Sequence, residues 1–161
     1  MHHFYVENRG LKCPSLEPFI KYAKSCYDSH LAAYLRGMVQ RPFGGLMDFF
    51  NGVDALLKAN NRPDEVAFHP QYNKNALKKV VSQHTAKDVR KGLEQLYKRV
   101  EKHFSDEEGL LQVVWRGMQE DVLNRVQRFN ELIQKCYGGG LELEFTVQDL
   151  LGFFSELAKS R

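Results

Sequence analysis

The apolar residues between positions 111 and 136 recur every three or four places, and this stripe constrains the fold more than any other sequence feature. At 100° per residue its members fall within an arc of about 120°, which is the apolar face of an amphipathic helix. Such a face must be buried against other elements, so the chain is predicted to be an all-α protein built on this helix. The expected core anchors on the stripe are Leu111, Trp115, Met118, Val122 and Phe129.

Two further stripes precede this helix, over residues 15–40 and 46–57, and Arg41-Pro42 lies between them. Proline lacks the amide N–H that an interior helical position needs, so the first stripe is predicted to stop there. Gly44-Gly45 follows at the predicted boundary. The pattern fits either a bend in one helix or two separate helices.

Turn-forming residues and capping patterns place the remaining boundaries. Residues 60–72 contain two prolines and form the longest predicted loop. Shorter helices are predicted over residues 75–83, 85–104 and 146–157, and the last two begin with a threonine that precedes an aspartate by three residues. Ser105 makes a similar pair with Glu108 at the start of the long helix, and the three glycines at 138–140 end that helix.

The connections favour a simple architecture. Residues 141–145 alternate apolar and acidic side chains and would suit one short extended segment, but not a sheet. The sequence therefore predicts an antiparallel bundle of five to six helices, with residues 1–161 forming a single domain. Because residues 2–6 resemble the interior of a helix, we expect the chain to be part of a longer polypeptide.

Composition places the chain among ordinary globular proteins, because 43% of its residues are apolar and 27% are charged. No run approaches the roughly 18 consecutive apolar residues of a membrane span, and the N-terminus lacks the apolar region of a signal peptide. The three cysteines form no CxxC pair, which favours reduced thiols in the cytosol over disulfides or a zinc site. Cys26 and Cys136 fall on apolar helical faces and are expected to be buried.

The sequence lacks the common catalytic and ligand-binding motifs. None of its six histidines belongs to an HExxH motif, and it contains no phosphate-binding loop, GxGxxG motif or GxSxG nucleophile elbow. His30 adjoins the first stripe, where a hydrogen-bonded histidine at the edge of the core is expected rather than a metal ligand or base. We therefore expect no enzyme activity, cofactor, metal ion or small-molecule substrate.

A basic stretch has the best claim to a role beyond packing. Residues 74–102 contain nine basic and three acidic residues, which leaves a net formal charge of +6. It fits either a solvated helix face, with Glu94 and Lys98 paired at i,i+4, or a contact for an acidic partner or anionic lipid headgroups. The side chains expected to make such contacts are Lys87, Arg90, Lys91, Lys98 and Lys102. The overall charge of only +3 gives no indication of nucleic-acid binding.

Four long strings of residues carry a family resemblance. They are KGLEQLYKRVEKH at 91–103, EEGLLQVVW at 107–115, LIQKCY at 132–137 and LEFTVQDLL at 143–151. Together they resemble the C-terminal region of the exocyst complex component 1 family of vesicle-tethering subunits. The strings identify relatives but mark no active site.

The resemblance implies a non-enzymatic scaffold subunit of the octameric exocyst, which tethers secretory vesicles to the plasma membrane before fusion. It also implies stacked helical bundles of the rod-like multisubunit tethering type, with other exocyst subunits as partners. The implied location is cytoplasmic, peripheral at the plasma membrane or at secretory vesicles. The family's phosphoinositide- and GTPase-binding module lies N-terminal to this region, so its activities are not assigned to these residues. The alternative function is peripheral membrane binding through the basic helix face.

Overall fold

The structure is a computed structural model that describes residues 16–60, 62–104 and 108–159. These residues form six α-helices and no strand, which confirms the predicted all-α fold. The helices are α1 (Glu17–Asn60), α2 (Pro63–Val66), α3 (Lys74–Ser82), α4 (Ala86–His103), α5 (Glu108–Tyr137) and α6 (Val147–Lys159). The chain divides into two compact units, Met1–Met38 and Val39–Arg161.

In the first unit, the described residues belong mainly to the beginning of α1. The predicted apolar stripe is half-buried at positions such as Ile20 and Leu31. Phe19 and Tyr22 lie outside the stripe and are 69% and 73% exposed. An exposed ion pair joins Lys24 to Asp28 one helical turn later, at 3.2 Å.

Two expectations about this segment are wrong. His30 is exposed rather than held at the edge of a core, and Cys26 is half-buried rather than buried. The apolar stripe of this segment is itself only half-buried at positions such as Ile20 and Leu31, so side chains away from its centre are not fully buried. Cys136 is buried as expected, and Cys13 lies outside the described residues.

Helix α1 continues through Pro42 for 44 residues, so of the two alternatives, one helix or two, the structure shows one helix. Gly44-Gly45 likewise lies inside α1 and not at a boundary. An apolar stripe crosses the proline in steps of three and four, and its buried members are Val39, Phe43, Leu46, Phe50, Val53 and Leu57. Burial of each contributes about 1.5–3 kcal/mol, which together exceeds the roughly 3 kcal/mol cost of an interior proline.

The core of the second unit forms where α5 packs against α2, α4 and α6, and where α4 also packs against α6. The whole α5 stripe, from Leu111 to Cys136, is buried. Helix α1 joins this core through Phe50, whose ring stacks on that of Phe129 with 4.6 Å between centroids. The second unit is therefore a helical bundle, as predicted.

The predicted loop over residues 60–72 contains the short helix α2. Pro63 occupies its first turn, where the missing N–H would have no partner in any case, and Val66 is buried. Hydrogen-bonded turns continue to Tyr72, whose carbonyl oxygen accepts a hydrogen bond from the Tyr137 hydroxyl at 2.6 Å. This bond fixes the connection against the end of α5.

Two of the predicted capping pairs are confirmed. The Thr85 hydroxyl oxygen accepts from the amide of Asp88 at 3.2 Å, and that of Thr146 accepts from the amide of Asp149 at 3.1 Å. The Thr146 amide in turn donates to the Asp149 carboxylate at 2.8 Å. These bonds fix where α4 and α6 begin. The third pair, which starts at Ser105, lies outside the described residues.

The three glycines after α5 end this helix as predicted. Gly138, Gly139 and Gly140 have φ values of 67°, 83° and 80°, in the left-handed region that other residues disfavour. Residues 141–145 then lead to α6 without forming a strand. In the described ranges, no helix combines the length and apolar character needed to cross a bilayer.

Candidate functional site

The lysines of α4 lie on the side opposite its buried face. Val89, Leu93 and Val100 are buried, so the opposite side of the helix faces outward, and the cap at Thr85 fixes where the helix starts. All four lysines that were expected to make contacts are exposed. None of them takes part in an ion pair with another described residue. We call Lys87, Lys91, Lys98 and Lys102 the lysine face.

Arg90 is exposed, but contacts with other residues of the protein engage its guanidinium group, so we do not include it in the lysine face. Its Nη2 lies 3.0 Å from a carboxylate oxygen of Glu156 on α6, and its Nε lies 3.4 Å from Glu94. Its guanidinium carbon also lies 5.6 Å from the centre of the Phe153 ring. The expected pairing of Glu94 with Lys98 is therefore wrong, because a planar guanidinium can contact both carboxylates and the ring at once. Arg90 joins α6 to α4.

A cleft between the middle of α1 and α4 brings together residues that sequence analysis did not connect. Its volume is about 250 Å³, and we call it the Pro42 cleft. Its principal lining residues are Arg41, Pro42, Asp88, Lys91, Gly92 and Arg99. Gly92 permits the close approach of the helices, because a Cβ at this position would lie 2.8 Å from the Cβ of Pro42. The only sequence signal was a glycine within a strongly amphipathic helix.

The predicted core anchors lie inside the second unit. Trp115 is 5% exposed, and its indole N–H donates to the carbonyl oxygen of Phe154 at 3.3 Å. Its ring meets those of Tyr97 and Phe154, each at 4.8 Å between centroids. Trp115 thus joins α4, α5 and α6. The other anchors are equally buried, namely Leu111, Met118, Val122 and Phe129.

Phe68 is an exposed aromatic residue that sequence analysis did not single out. Its side chain is 86% exposed in the turn that follows α2. It borders a depression of about 380 Å³ whose lining includes Arg62, Glu65 and His69. We call these four residues the Phe68 surface. The only signal in the sequence was an aromatic residue between two prolines, away from every helical stripe.

Two titratable side chains, Cys136 and Tyr137, are buried in the second unit as part of its packed core. Burial raises the pKa of the Cys136 thiol and of the Tyr137 phenol, so both stay protonated at neutral pH. The Tyr137 hydroxyl is satisfied by its bond to the carbonyl of Tyr72. Within the described residues, no cluster of three His, Cys, Asp or Glu side chains could hold a metal ion.

Comparison with known proteins gives consistent results. Residues 1–139 match the family described as Exocyst complex component Sec3, C-terminal. The chain is 44% identical over 160 residues to Exocyst complex component 1 of Drosophila melanogaster and 41% identical over 160 residues to that of Mus musculus. It is 22% identical over 134 residues, 83% of this chain, to Exocyst complex component 1 of Dictyostelium discoideum, of which the match covers 15%.

The coverage is unequal. Each of the first two alignments takes in 99% of this chain but 18% of the relative, so the chain spans less than a fifth of the length of these relatives. No solved structure was found to match.

Proposed function

Because this chain belongs to the Sec3 C-terminal family of exocyst components, we propose that it is a non-enzymatic helical scaffold within an exocyst subunit. In this role it contacts other exocyst subunits and contributes to tethering secretory vesicles at the plasma membrane during exocytosis. Its location would be cytoplasmic, peripheral at the plasma membrane or at the vesicles. The proposed role is that of residues 1–161, which correspond to 18% of the length of the related subunits.

The observation that carries the scaffold proposal is the exposure of Phe68. An aromatic side chain with 86% of its surface exposed gains from burial when a partner covers it. Aromatic and arginine residues are enriched among the few that dominate protein interfaces, and Arg62 lies in the same surface. The exocyst components that resemble this chain are by name members of a complex, and another subunit is the partner that best fits this surface.

The test is copurification of the full-length subunit with the other exocyst subunits. Phe68→Ser should lower the affinity by about tenfold or more, which corresponds to an interface residue worth at least about 1.4 kcal/mol. Val113→Ser is the matched control, because Val113 is 40% exposed but lies near the start of α5, whereas the Phe68 connection contacts the end of that helix. Equal recovery of subunits with both variants would contradict a role for the Phe68 surface.

A second candidate function is supported by the lysine face. Four exposed lysines that form no ion pair with another described residue share one side of α4, and each lysine near an anionic membrane contributes about 1 kcal/mol. Such a face would hold the protein peripherally on anionic lipid. This attraction would add to the subunit contact, since it uses residues outside the Phe68 surface.

Liposome flotation tests the lysine face. Changing Lys87, Lys91, Lys98 and Lys102 to Glu should weaken binding to phosphatidylserine-containing liposomes by more than about a hundredfold. The control changes four exposed lysines outside α4, Lys21, Lys58, Lys135 and Lys159, so the net charge falls equally. If both quadruple variants float to the same extent, the lysine face is not a membrane contact.

A further inference from the structure

We propose that the Pro42 cleft is a binding site for a phosphate monoester group. The inference is independent of the scaffold proposal, because it uses neither Phe68 nor its surroundings. Two helices supply the cleft: α1 contributes Arg41, and α4 contributes Lys91 and Arg99. Three cationic side chains therefore border one concave space.

Their positions follow from the close contact of Gly92 with Pro42. Any side chain at position 92 would press on the proline ring, since even a Cβ would lie 2.8 Å from the Pro42 Cβ. The helices can therefore approach closely at this point, and the long side chains on either side border the same space. Arg99 is half-buried, whereas Arg41 and Lys91 are exposed.

The charge of the cleft fits a doubly charged anion. Among the described residues, Arg41, Lys91 and Arg99 have no ion-pair partner. Asp88 is the one carboxylate among the described lining residues, and its charge is already hydrogen-bonded by the Thr85 hydroxyl at 2.6 Å. Three cations and one carboxylate leave a net charge of +2.

A phosphate monoester carries a charge of about −1.5 to −2 at neutral pH, whereas a single carboxylate or a phosphodiester carries −1. The monoester therefore balances the cleft most closely. Its three terminal oxygens can also accept from guanidinium groups in the paired geometry that arginine provides.

The size of the cleft limits what it can hold. Its volume of about 250 Å³ is below the roughly 300–1,000 Å³ of sites for drug-sized ligands. It suits the phosphate group and a few neighbouring atoms rather than an extended molecule. That group could belong to a lipid headgroup or to a soluble phosphate, and both sources share the same chemistry.

The experiment titrates the full chain with glycerol 3-phosphate at 150 mM NaCl, followed by ³¹P NMR. We expect saturable binding with one site per chain. In Arg41→Gln/Arg99→Gln the affinity should fall by at least about tenfold, because two charge-assisted contacts are lost. Lys98→Gln/Lys102→Gln removes the same charge from residues outside the cleft lining and should change the affinity by less than about twofold.

A charge-preserving variant distinguishes specific phosphate binding in the Pro42 cleft from general electrostatic attraction to the basic surface of α4. Arg41→Lys/Arg99→Lys keeps the charge but loses the paired donors, so it should bind more weakly than the unaltered chain and more tightly than the Gln variant. Unchanged thermal unfolding of each variant confirms that it folds. Absence of saturable binding by the unaltered chain would overturn the proposal. So would equal losses in the two Gln variants, which would indicate diffuse attraction.

Vesicles distinguish the two sources of the phosphate. Phosphatidic acid has a monoester headgroup and phosphatidylglycerol a diester, so they compare the two chemistries on a membrane. Preferential binding to phosphatidic acid vesicles that is lost in Arg41→Gln/Arg99→Gln would support the cleft and assign it to a lipid. Binding of glycerol 3-phosphate without that preference would support the cleft and assign it to a soluble ligand.

Discussion

A pair of glycine substitutions tests how closely α1 and α4 pack. Gly92 and Gly152 are both helical, but their surroundings differ. An added Cβ at Gly92 would lie 2.8 Å from the Pro42 Cβ, whereas at Gly152 it would meet no other described part of the chain within 4 Å. Gly92→Ala and Gly152→Ala therefore make the same chemical change in a crowded and in an open position.

The expected free energies follow from two opposing effects. Replacing glycine with alanine inside a helix favours the folded state by about 1 kcal/mol, and this gain applies to both positions. At Gly92 the added carbon would lie well inside the ordinary carbon–carbon contact of about 3.5–4.0 Å, and the proline ring cannot rotate away. Such overpacking costs about 1–3 kcal/mol. Gly152→Ala should thus be the more stable of the two variants by about 1–3 kcal/mol.

Urea unfolding measures this difference. Far-UV circular dichroism follows the helices, and the fluorescence of the single tryptophan, Trp115, follows the junction of α4, α5 and α6. For a chain of this size the difference corresponds to about 2–12 °C in melting temperature. If Gly92→Ala were as stable as Gly152→Ala, α1 and α4 would not meet at Pro42, and the Pro42 cleft would lose its basis.

Three further predictions concern the second unit. Trp115→Ala should lower the unfolding free energy by about 3–5 kcal/mol through the cavity it leaves, and a melting temperature close to the original would contradict its burial. Tyr137→Phe leaves the Tyr72 carbonyl without its donor and should cost about 1–3 kcal/mol in urea unfolding; Tyr22→Phe, on an exposed side chain, is the control. Hydrogen bonds from Thr146 hold the pKa of Asp149 below its ordinary value, so the stabilisation is present above about pH 3.9 and is lost as the pH falls through the lowered pKa. Asp149→Asn should therefore be less stable than the unaltered chain at pH 7 and equally stable in strong acid; a constant difference across the titration would refute this linkage.

Much of the fold was predictable from periodicity and from short-range capping. The α5 stripe predicted a buried face, and the bonds of Thr85 and Thr146 are made between residues three apart in sequence. The exocyst family resemblance was also visible in strings of residues and is confirmed by the matches. These features depend on local sequence alone.

Other features depend on tertiary contacts, which the apolar periodicity of a sequence does not predict. At Pro42 the sequence left one helix or two open because the local cost of a proline is evident, whereas the burial of Phe43, Leu46 and their neighbours that offsets this cost is tertiary. Glu94 was paired with Lys98 on the same helix, but the structure pairs it with Arg90, which also reaches α6.

The Pro42 cleft and the Phe68 surface could not have been found from sequence for the same reason. The Pro42 cleft joins Arg41 to residues about fifty positions later, and no local pattern places α1 beside α4. The Phe68 surface depends on which face of a connection remains uncovered, and the composition of that connection does not determine this.

Hydrogen–deuterium exchange on the full-length subunit, alone and in the assembled exocyst, tests the scaffold function most directly. The peptide to follow covers residues 62–73, which include Phe68. The account predicts slower exchange of this peptide in the complex, with little change in the buried middle of α5. Identical exchange of residues 62–73 in the free and the assembled subunit would contradict it.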